Sequence, residues 1–361
     1  MQKCKIAVFT LPDTPFALQE VDIPPLGPGE ILVKNEYVTL CRSDLNTYSG
    51  KRREKTPTIL GHEIVGRIVS RHEAHPGTDE RGQHLHLNDR ISWAIYASDP
   101  ADALSQAGIP QKAADLFKYG HERITATSNL HGGLAEYTLL RRNTPIVKID
   151  ETLPLPQAAI INCAVATVSG AIRLAGDLIG KNVLVSGAGM LGMIACAMSK
   201  TAGAARVVAM DINPVRLERA CDFGADLGVV GDELEDDTLV STMGNEQPFH
   251  IVIELSGVAE AMEKSLQLLA VGGMAVWVGA TYPQRDLRIN AEQIVRHLWT
   301  IRGLHNYNQH DLVAAVQFME KHHLDFPFAT LIYDGFSLDQ VNEAFVYGLE
   351  ESPFRVGIRI Q

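Results

Sequence analysis

Two hydrophobic textures divide this chain. In its first part the apolar positions come in short alternating runs broken by Pro and Gly. Ile31-Leu32-Val33-Lys34 and Ile64-Val65-Gly66-Arg67-Ile68-Val69 predict strands, and Pro24-Pro25-Leu26-Gly27-Pro28-Gly29 predicts a turn-rich connection. From about residue 154 strands alternate with helix-length apolar periods. Asn182-Val183-Leu184-Val185-Ser186 predicts a buried strand, Leu191 to Thr201 a helix, and Arg206-Val207-Val208-Ala209-Met210 the next strand, ending at Asp211. Ile251-Val252-Ile253-Glu254 and Ala275-Val276-Trp277-Val278 predict later strands. Beyond about residue 305 the texture is mixed again, with a helix expected over Asp311 to His322 and a last strand near Val356-Gly357-Ile358-Arg359. Strand–helix alternation predicts a doubly wound parallel sheet. The expected class is therefore α/β: a β-rich domain over residues 1–160 and 306–361, and a doubly wound domain over 161–305. A polar stretch from Glu73 to Leu130, helix-like between Asp99 and Tyr119, predicts a surface lobe. The sequence shows no internal repeat.

Composition narrows the class without adding chemistry. The 361 residues suit about two domains. A formal charge of −11 lacks the basic footprint of a nucleic-acid binder. The first residues carry no apolar signal core, and no apolar run approaches the roughly 18 residues of a membrane span. Five scattered cysteines do not make a disulfide framework, so a reduced, cytoplasmic protein is expected, with neither nucleic acid nor membrane as partner.

Three residues carry the candidate chemistry. Cys41 in Cys-Arg-Ser-Asp, His62 in Gly-His-Glu and Cys163 in Asn-Cys-Ala-Val make a two-thiolate, one-imidazole set. Three protein ligands leave the fourth tetrahedral position of a zinc ion open, the mark of a catalytic site. Asp44 is placed to accept the spare imidazole N–H, and Ser43 to bond a reacting hydroxyl. With Cys163 at the entry to the second domain, such a metal is expected between the domains. A lone cysteine is more often a small buried apolar residue, the reading given to Cys4, Cys196 and Cys221.

The second candidate site is Gly187-Ala188-Gly189-Met190-Leu191-Gly192, which follows a strand and opens a helix. Its first glycine permits the turn, its second lets pyrophosphate approach, its third allows close packing, and the helix N-terminus faces the phosphates. Asp211 ends the next strand, where a carboxylate bonds both ribose hydroxyls and repels the extra phosphate of NADP. NAD(H) is the expected cofactor, with Arg216 over the adenine or paired with Asp211.

Cys-Arg-Ser-Asp, Gly61-His62-Glu63-x-x-Gly66, Asn88-Asp89-Arg90-Ile91, Gly132-Gly133-Leu134-Ala135-Glu136-Tyr137 and the glycine turn stand in the order of the zinc-dependent medium-chain alcohol dehydrogenases, which the chain resembles over nearly its whole length. The resemblance implies a GroES-like catalytic domain completed by the C-terminal segment, a Rossmann domain, and homodimers or homotetramers joined through the Rossmann sheets. It implies Cys41, His62 and Cys163 as zinc ligands, Glu63 as a carboxylate able to approach the zinc, and Ser43 as the first member of a proton relay. Arg42 and Thr167 are further candidate cofactor contacts. Two departures stand out. The lobe from Trp93 to Glu122 lacks the four cysteines of a structural zinc, so one catalytic zinc alone is expected. Asn46 also stands where some relatives have a relay histidine. The segments Phe117-Lys118-Tyr119-Gly120-His121-Glu122 and His131-Gly132-Gly133 are similar to a group of alcohol dehydrogenases associated with phosphonate catabolism.

The resemblance implies hydride transfer between a small alcohol and NAD, with zinc as Lewis acid. The basic run Lys51-Arg52-Arg53 is a candidate for binding an anionic, phosphonate-linked substrate, against the plainer reading of a solvated loop. Polyol or threonine dehydrogenation is the alternative within the family. A zinc-free quinone or enoyl reductase, and a non-catalytic NAD-binding protein, are the alternatives outside that reading.

Overall fold

The computed structural model describes residues 3–231 and 249–360. The chain divides into two units, Met1–Ala166 with Asn308–Gln361, and Thr167–Tyr307. The sequence-based boundaries at 160 and 306 thus move, and Cys163, assigned from sequence to the second unit, belongs to the first. All three candidate metal ligands therefore come from one unit.

The first unit is built on a seven-stranded sheet in the order Ile332–Ser337, Arg355–Arg359, Ile31–Leu40, Glu63–Arg71, Arg90–Trp93, Ile146–Lys148, with Tyr137–Leu140 also paired to Ile31–Leu40. Neighbours are antiparallel except the first pair. Ile31–Leu40 is the spine because it is buried along nearly its whole length, which its apolar sequence permits. The C-terminal strand Arg355–Arg359 pairs with its second half, so the end of the chain completes the first unit. Cys41 follows this spine directly and starts the helix Arg42–Tyr48. That helix is anchored by Tyr48, whose ring packs against Phe9, Phe16 and Phe345 at centroid separations of 6.4, 5.6 and 5.1 Å. Burying such rings stabilises the anchor by about 1.5–3 kcal/mol each.

The surface lobe departs from the helix expected over Asp99 to Tyr119. Only Ala103–Gln106 is α-helical, capped by the Asp102 carboxylate; Gly108, at φ +80°, and Pro110 end it. The strands Tyr96–Ala97 and Phe117–Lys118 pair across the base of the lobe.

In the second unit, six parallel strands run in the spatial order Leu227–Val230, Arg206–Asp211, Asn182–Ser186, Phe249–Glu254, Leu269–Trp277, Thr300–Gly303. Numbered along the chain this is 3-2-1-4-5-6, the doubly wound order. The order reverses between Asn182–Ser186 and Phe249–Glu254, so a crevice opens beyond their carboxyl ends. The helical stretch Leu155–Ala175 reaches a mean hydropathy of 1.6, although no unbroken apolar run of that length occurs there. With 78% of that window buried inside the protein, it is a core helix.

Candidate functional site

The metal-ligand group is assembled from three separate stretches of the first unit. Cys41 is the N-cap of helix Arg42–Tyr48; its backbone N–H donates to Asp44 Oδ2 at 2.9 Å, while Asp44 N–H donates to the Cys41 carbonyl at 3.0 Å. His62 precedes the strand Glu63–Arg71. Cys163 lies in a π-helical turn, Ile161–Val165, interrupting the helical stretch, a distortion common at functional sites. Asn162 docks that turn on the sheet: its carbonyl accepts from Ile64 N–H at 3.2 Å, and its amide donates to the Trp93 carbonyl at 3.0 Å. The Sγ atoms of Cys41 and Cys163 and a ring nitrogen of His62 all lie within 4.8 Å of one another. Ligands of a tetrahedral zinc sit about 3.3–3.8 Å apart for bonds of about 2.0–2.3 Å, so closing on an ion asks for small side-chain adjustments. Among the described residues this is the one such group of metal-binding side chains.

Electrostatics prepare these atoms for a cation. A hydrogen bond donated by the Cys163 thiol, with Arg355 and His62, holds the Cys41 thiol well below its usual range; the same hydrogen bond pushes Cys163 well above it. Burial pulls the His62 imidazole down, but Asp44 and the Cys41 thiolate outweigh it and raise it to about 10. A metal held here would compete with protons for these atoms, and the lowered Cys41 thiol favours the metal. Asp44 Oδ1 stands 3.3 Å from His62 Nδ1, an electrostatic contact bent out of hydrogen-bond alignment, and it also accepts from Gly61 N–H at 3.2 Å. It therefore fixes the face of the ring that leaves Nε2 for a metal. Ser43 Oγ lies 3.4 Å from that Nε2, beside the position a metal would take.

Glu63 is not in the ligand group. Its carboxylate is fully buried and held bidentately by Arg355, Nε to Oε2 at 2.7 Å and Nη2 to Oε1 at 2.9 Å, and it accepts from Thr39 Oγ1 at 2.6 Å. In this arrangement Glu63 neutralises a buried arginine, one side chain away from the ligand group. That arginine also points Nη2 at Cys41 Sγ, 3.6 Å away. Of the basic run, Lys51 and Arg53 are exposed and only Arg52 is half-buried. Arg42 is exposed, and Asn46 is buried in the same helix.

Sequence reasoning missed a second layer around the metal group. The His121 ring lies over His62 with centroids 5.1 Å apart, its Nδ1 2.9 Å from Glu54 Oε1, which also pairs with Arg52 Nε at 2.9 Å. Gly120 makes this possible: its φ is +75°, and a Cβ there would meet the Gly61 carbonyl at 2.9 Å and the His62 Cβ at 3.2 Å. Burial and the charge of His62 push the His121 imidazole well below its usual pKa. The run Phe117 to Glu122 holds the signal, but nothing local in it says that it folds over His62.

In the second unit the glycine turn stands at the reversal of strand order. Gly187 has φ +96°, and a Cβ on it would meet Ser256 N at 2.7 Å, so the turn and the end of strand Phe249–Glu254 close on each other. Gly189 caps helix Met190–Thr201 with no side chain, and open space lies where its Cβ would be. No side chain therefore blocks the approach to the helix's first-turn N–H groups, including those of Leu191 and Gly192, an arrangement that suits a pyrophosphate. Asp211 accepts from Ala188 N–H at 2.7 Å and Asn213 N–H at 2.9 Å, which holds it at the rim of a 420 Å³ cavity lined by Gly187, Ile212, Ser256, Val258 and Lys264. Thr167 is buried at the start of helix Ala166–Ala175; Arg216 lies in the first turn of helix Pro214–Asp222.

A doubly wound unit with a dinucleotide turn, and a β unit with a two-sulfur, one-nitrogen metal group, define an oxidoreductase of the zinc-binding type. The alcohol dehydrogenase GroES-like domain matches residues 27–151 and the zinc-binding dehydrogenase domain residues 191–321, together more than half of the chain. The chain belongs to the zinc-binding medium-chain alcohol dehydrogenase family. It is 29% identical over 357 residues to L-threonine 3-dehydrogenase of Pyrococcus horikoshii, covering 96% of this chain and 95% of that one. An alcohol dehydrogenase of Thermotoga maritima has the same fold with a TM-score of 0.92, at 24% identity and full coverage of both chains. A zinc-binding dehydrogenase of Sinorhizobium meliloti, solved bound to NADP, gives 0.85 at 22% identity, again over the whole of both chains.

Proposed function

We propose that this protein is a zinc-dependent dehydrogenase that passes a hydride between a small polar alcohol and NAD(H), of the threonine or polyol type. The observation that carries the reading is the Cys41–His62–Cys163 group with the Ser43 hydroxyl beside the ligand nitrogen. Zinc held there would supply Lewis acidity toward the alcohol oxygen, and the nicotinamide would take the hydride. The chain's own residues supply the rest. Asp44 orients His62, Ser43 is placed to accept the hydroxyl proton, and Asp211 selects a ribose with free hydroxyls. The relatives at 26–29% identity support threonine dehydrogenation over the phosphonate-linked alcohol, for which no comparison speaks. Preference for NAD rests on Asp211 alone, since the family includes a member that binds NADP.

The test is a metal and turnover assay. About one zinc per chain, with NAD reduction by L-threonine or a polyol that chelation abolishes and added zinc restores, is the expected result. Full turnover in metal-free protein would overturn the reading. For the cofactor, Asp211→Ala should weaken NAD about 10- to 100-fold, the worth of hydrogen bonds to a charged group, while easing the exclusion of NADP. A wild-type preference for NADP would contradict the assignment.

A further inference from the structure

Glu254 is completely buried at the point where the parallel sheet reverses its order. It ends the strand Phe249–Glu254, in register with Ser186 on one side and Trp277 on the other. A carboxylate so placed needs hydrogen bonds, and it draws them from the residues that follow it. Oε1 accepts from Ser256 N–H at 2.9 Å, from the Ser256 hydroxyl, and from Gly257 N–H at 3.1 Å. Gly257 N–H is shared with Oε2, also at 3.1 Å. The Ser256 hydroxyl in turn accepts from Val258 N–H at 3.1 Å. The backbone donors of Ser256, Gly257 and Val258 are thus turned toward one carboxylate, the last of them through a hydroxyl. Ser256 and Gly257 only donate to it, which favours its charged form.

The turn held in this way stands between the glycine turn and the helix Ala259–Gln267. Gly187 comes so close that a Cβ on it would meet Ser256 N at 2.7 Å. On the other side a Cβ on Gly257, at φ +68°, would collide with the Gly279 carbonyl. Ser256 and Val258 line the same 420 Å³ cavity as Gly187 and Asp211. Successive backbone N–H groups turned to one side make a natural anion site. At residues 256–258 the chain fills that site with its own carboxylate. At Gly189, by contrast, nothing lies within 4 Å of where a Cβ would be, at the start of helix Met190–Thr201. One donor set of the crevice is taken and the other is open.

We propose that Glu254 is a positioning residue for the dinucleotide. It holds the turn 256–258 as a wall of the cavity and occupies the donors of that turn, which leaves the glycine turn to take the phosphates. The proposal rests on the cofactor reading above and adds the side chain that keeps the crevice in its binding shape. Without the carboxylate, apparent affinity falls with the fraction of molecules whose turn still has that shape.

The test is a fluorescence titration of zinc-loaded protein with NADH, for wild type, Glu254→Gln, Glu254→Ala and Ser256→Ala. Glutamine keeps an acceptor at Oε1, where the Ser256 and Gly257 bonds meet, so it should stay within about threefold of the wild type. Glu254→Ala should lose about 10- to 100-fold, and Ser256→Ala, which removes only the hydroxyl, about 2- to 10-fold. Zinc content should be the same in all four. Hydrogen exchange in the ligand-free protein gives a readout that needs neither cofactor nor turnover. In Glu254→Ala the amides of Ser256, Gly257 and Val258 should exchange faster, while those of Asn182–Ser186 keep their protection. Unchanged NADH affinity in Glu254→Ala overturns the proposal. So does a loss of protection across the whole sheet, because Glu254 would then hold the fold rather than the turn. Should Glu254→Ala not fold, Ser256→Ala decides, and unchanged affinity there overturns the proposal. If the wild type binds neither NADH nor NADPH, the cofactor reading itself fails and the proposal falls with it.

Discussion

Asp44 shows how one side chain serves both the local fold and the chemistry. Its carboxylate accepts from the Cys41 and Gly61 N–H groups and faces His62 Nδ1, so it joins the helix start, the turn before the strand and the imidazole in one cluster. Asp44→Ala should weaken zinc binding about 10- to 100-fold, read by chelator competition; unchanged metal affinity would mean that the ring is held by packing alone. His131 gives a test of a different kind. It is 1% exposed, neither ring nitrogen has a hydrogen-bond partner, and burial lowers its pKa to about 4. Because the folded value lies below the unfolded 6.5, the unfolded chain binds the proton first, so stability is lost as pH falls through about 6.5 and levels off below about 4. The loss attributable to this group is roughly 3 kcal/mol. His131→Leu should flatten that part of the denaturation profile, and an equally steep profile in the variant would assign acid sensitivity elsewhere.

At the level of elements, what could be read beforehand was what neighbours in sequence decide. The strand Asn182–Ser186, the glycine turn and the helix after it follow one another directly, and their pattern and order identify them. Cys41 and His62 were legible because each sits in a short motif with its own helper, Ser43 and Asp44 for one and Gly61 for the other. The remaining features depend on contacts between distant segments. Glu63 and Arg355 are 292 positions apart, and Glu54 and His121 are 67 apart; no local pattern pairs them. Cys163 was placed in the wrong unit because the texture change near residue 154 precedes the structural boundary. The expected helix over Asp99 to Tyr119 failed because Gly108 and Pro110 interrupt an otherwise helical composition. The Arg355–Glu63 pair also carries a prediction. It ties the C-terminal strand to the strand that begins beside His62, and Arg355→Leu strands a buried carboxylate. Such a break costs about 3–5 kcal/mol, measurable by chemical denaturation. The double change Arg355→Leu with Glu63→Leu should recover much of it, whereas no recovery would mean that the loss comes from packing.

For the whole molecule, assembly and catalysis each pose a question. Among the described residues the strand Thr300–Gly303 stands at one edge of the parallel sheet, and Val271, Val295 and Leu298 of the same unit are exposed. The family resemblance implies homodimers or homotetramers joined through the Rossmann sheets, and pairing of this edge with a second copy is one way to test that. Light scattering should give a dimer or a multiple of it, and Ile301→Pro should reduce it to single chains, since proline removes a ladder donor. The central claim, however, is that Cys41, His62 and Cys163 hold one zinc ion with a position left open. X-ray absorption at the zinc edge of the purified protein tests it most directly. The account predicts two sulfur neighbours at about 2.3 Å and two lighter neighbours at about 2.0–2.1 Å, one from His62 and one exchangeable. A shell of oxygen and nitrogen alone, or an unchanged two-sulfur signal in Cys163→Ser, would contradict it.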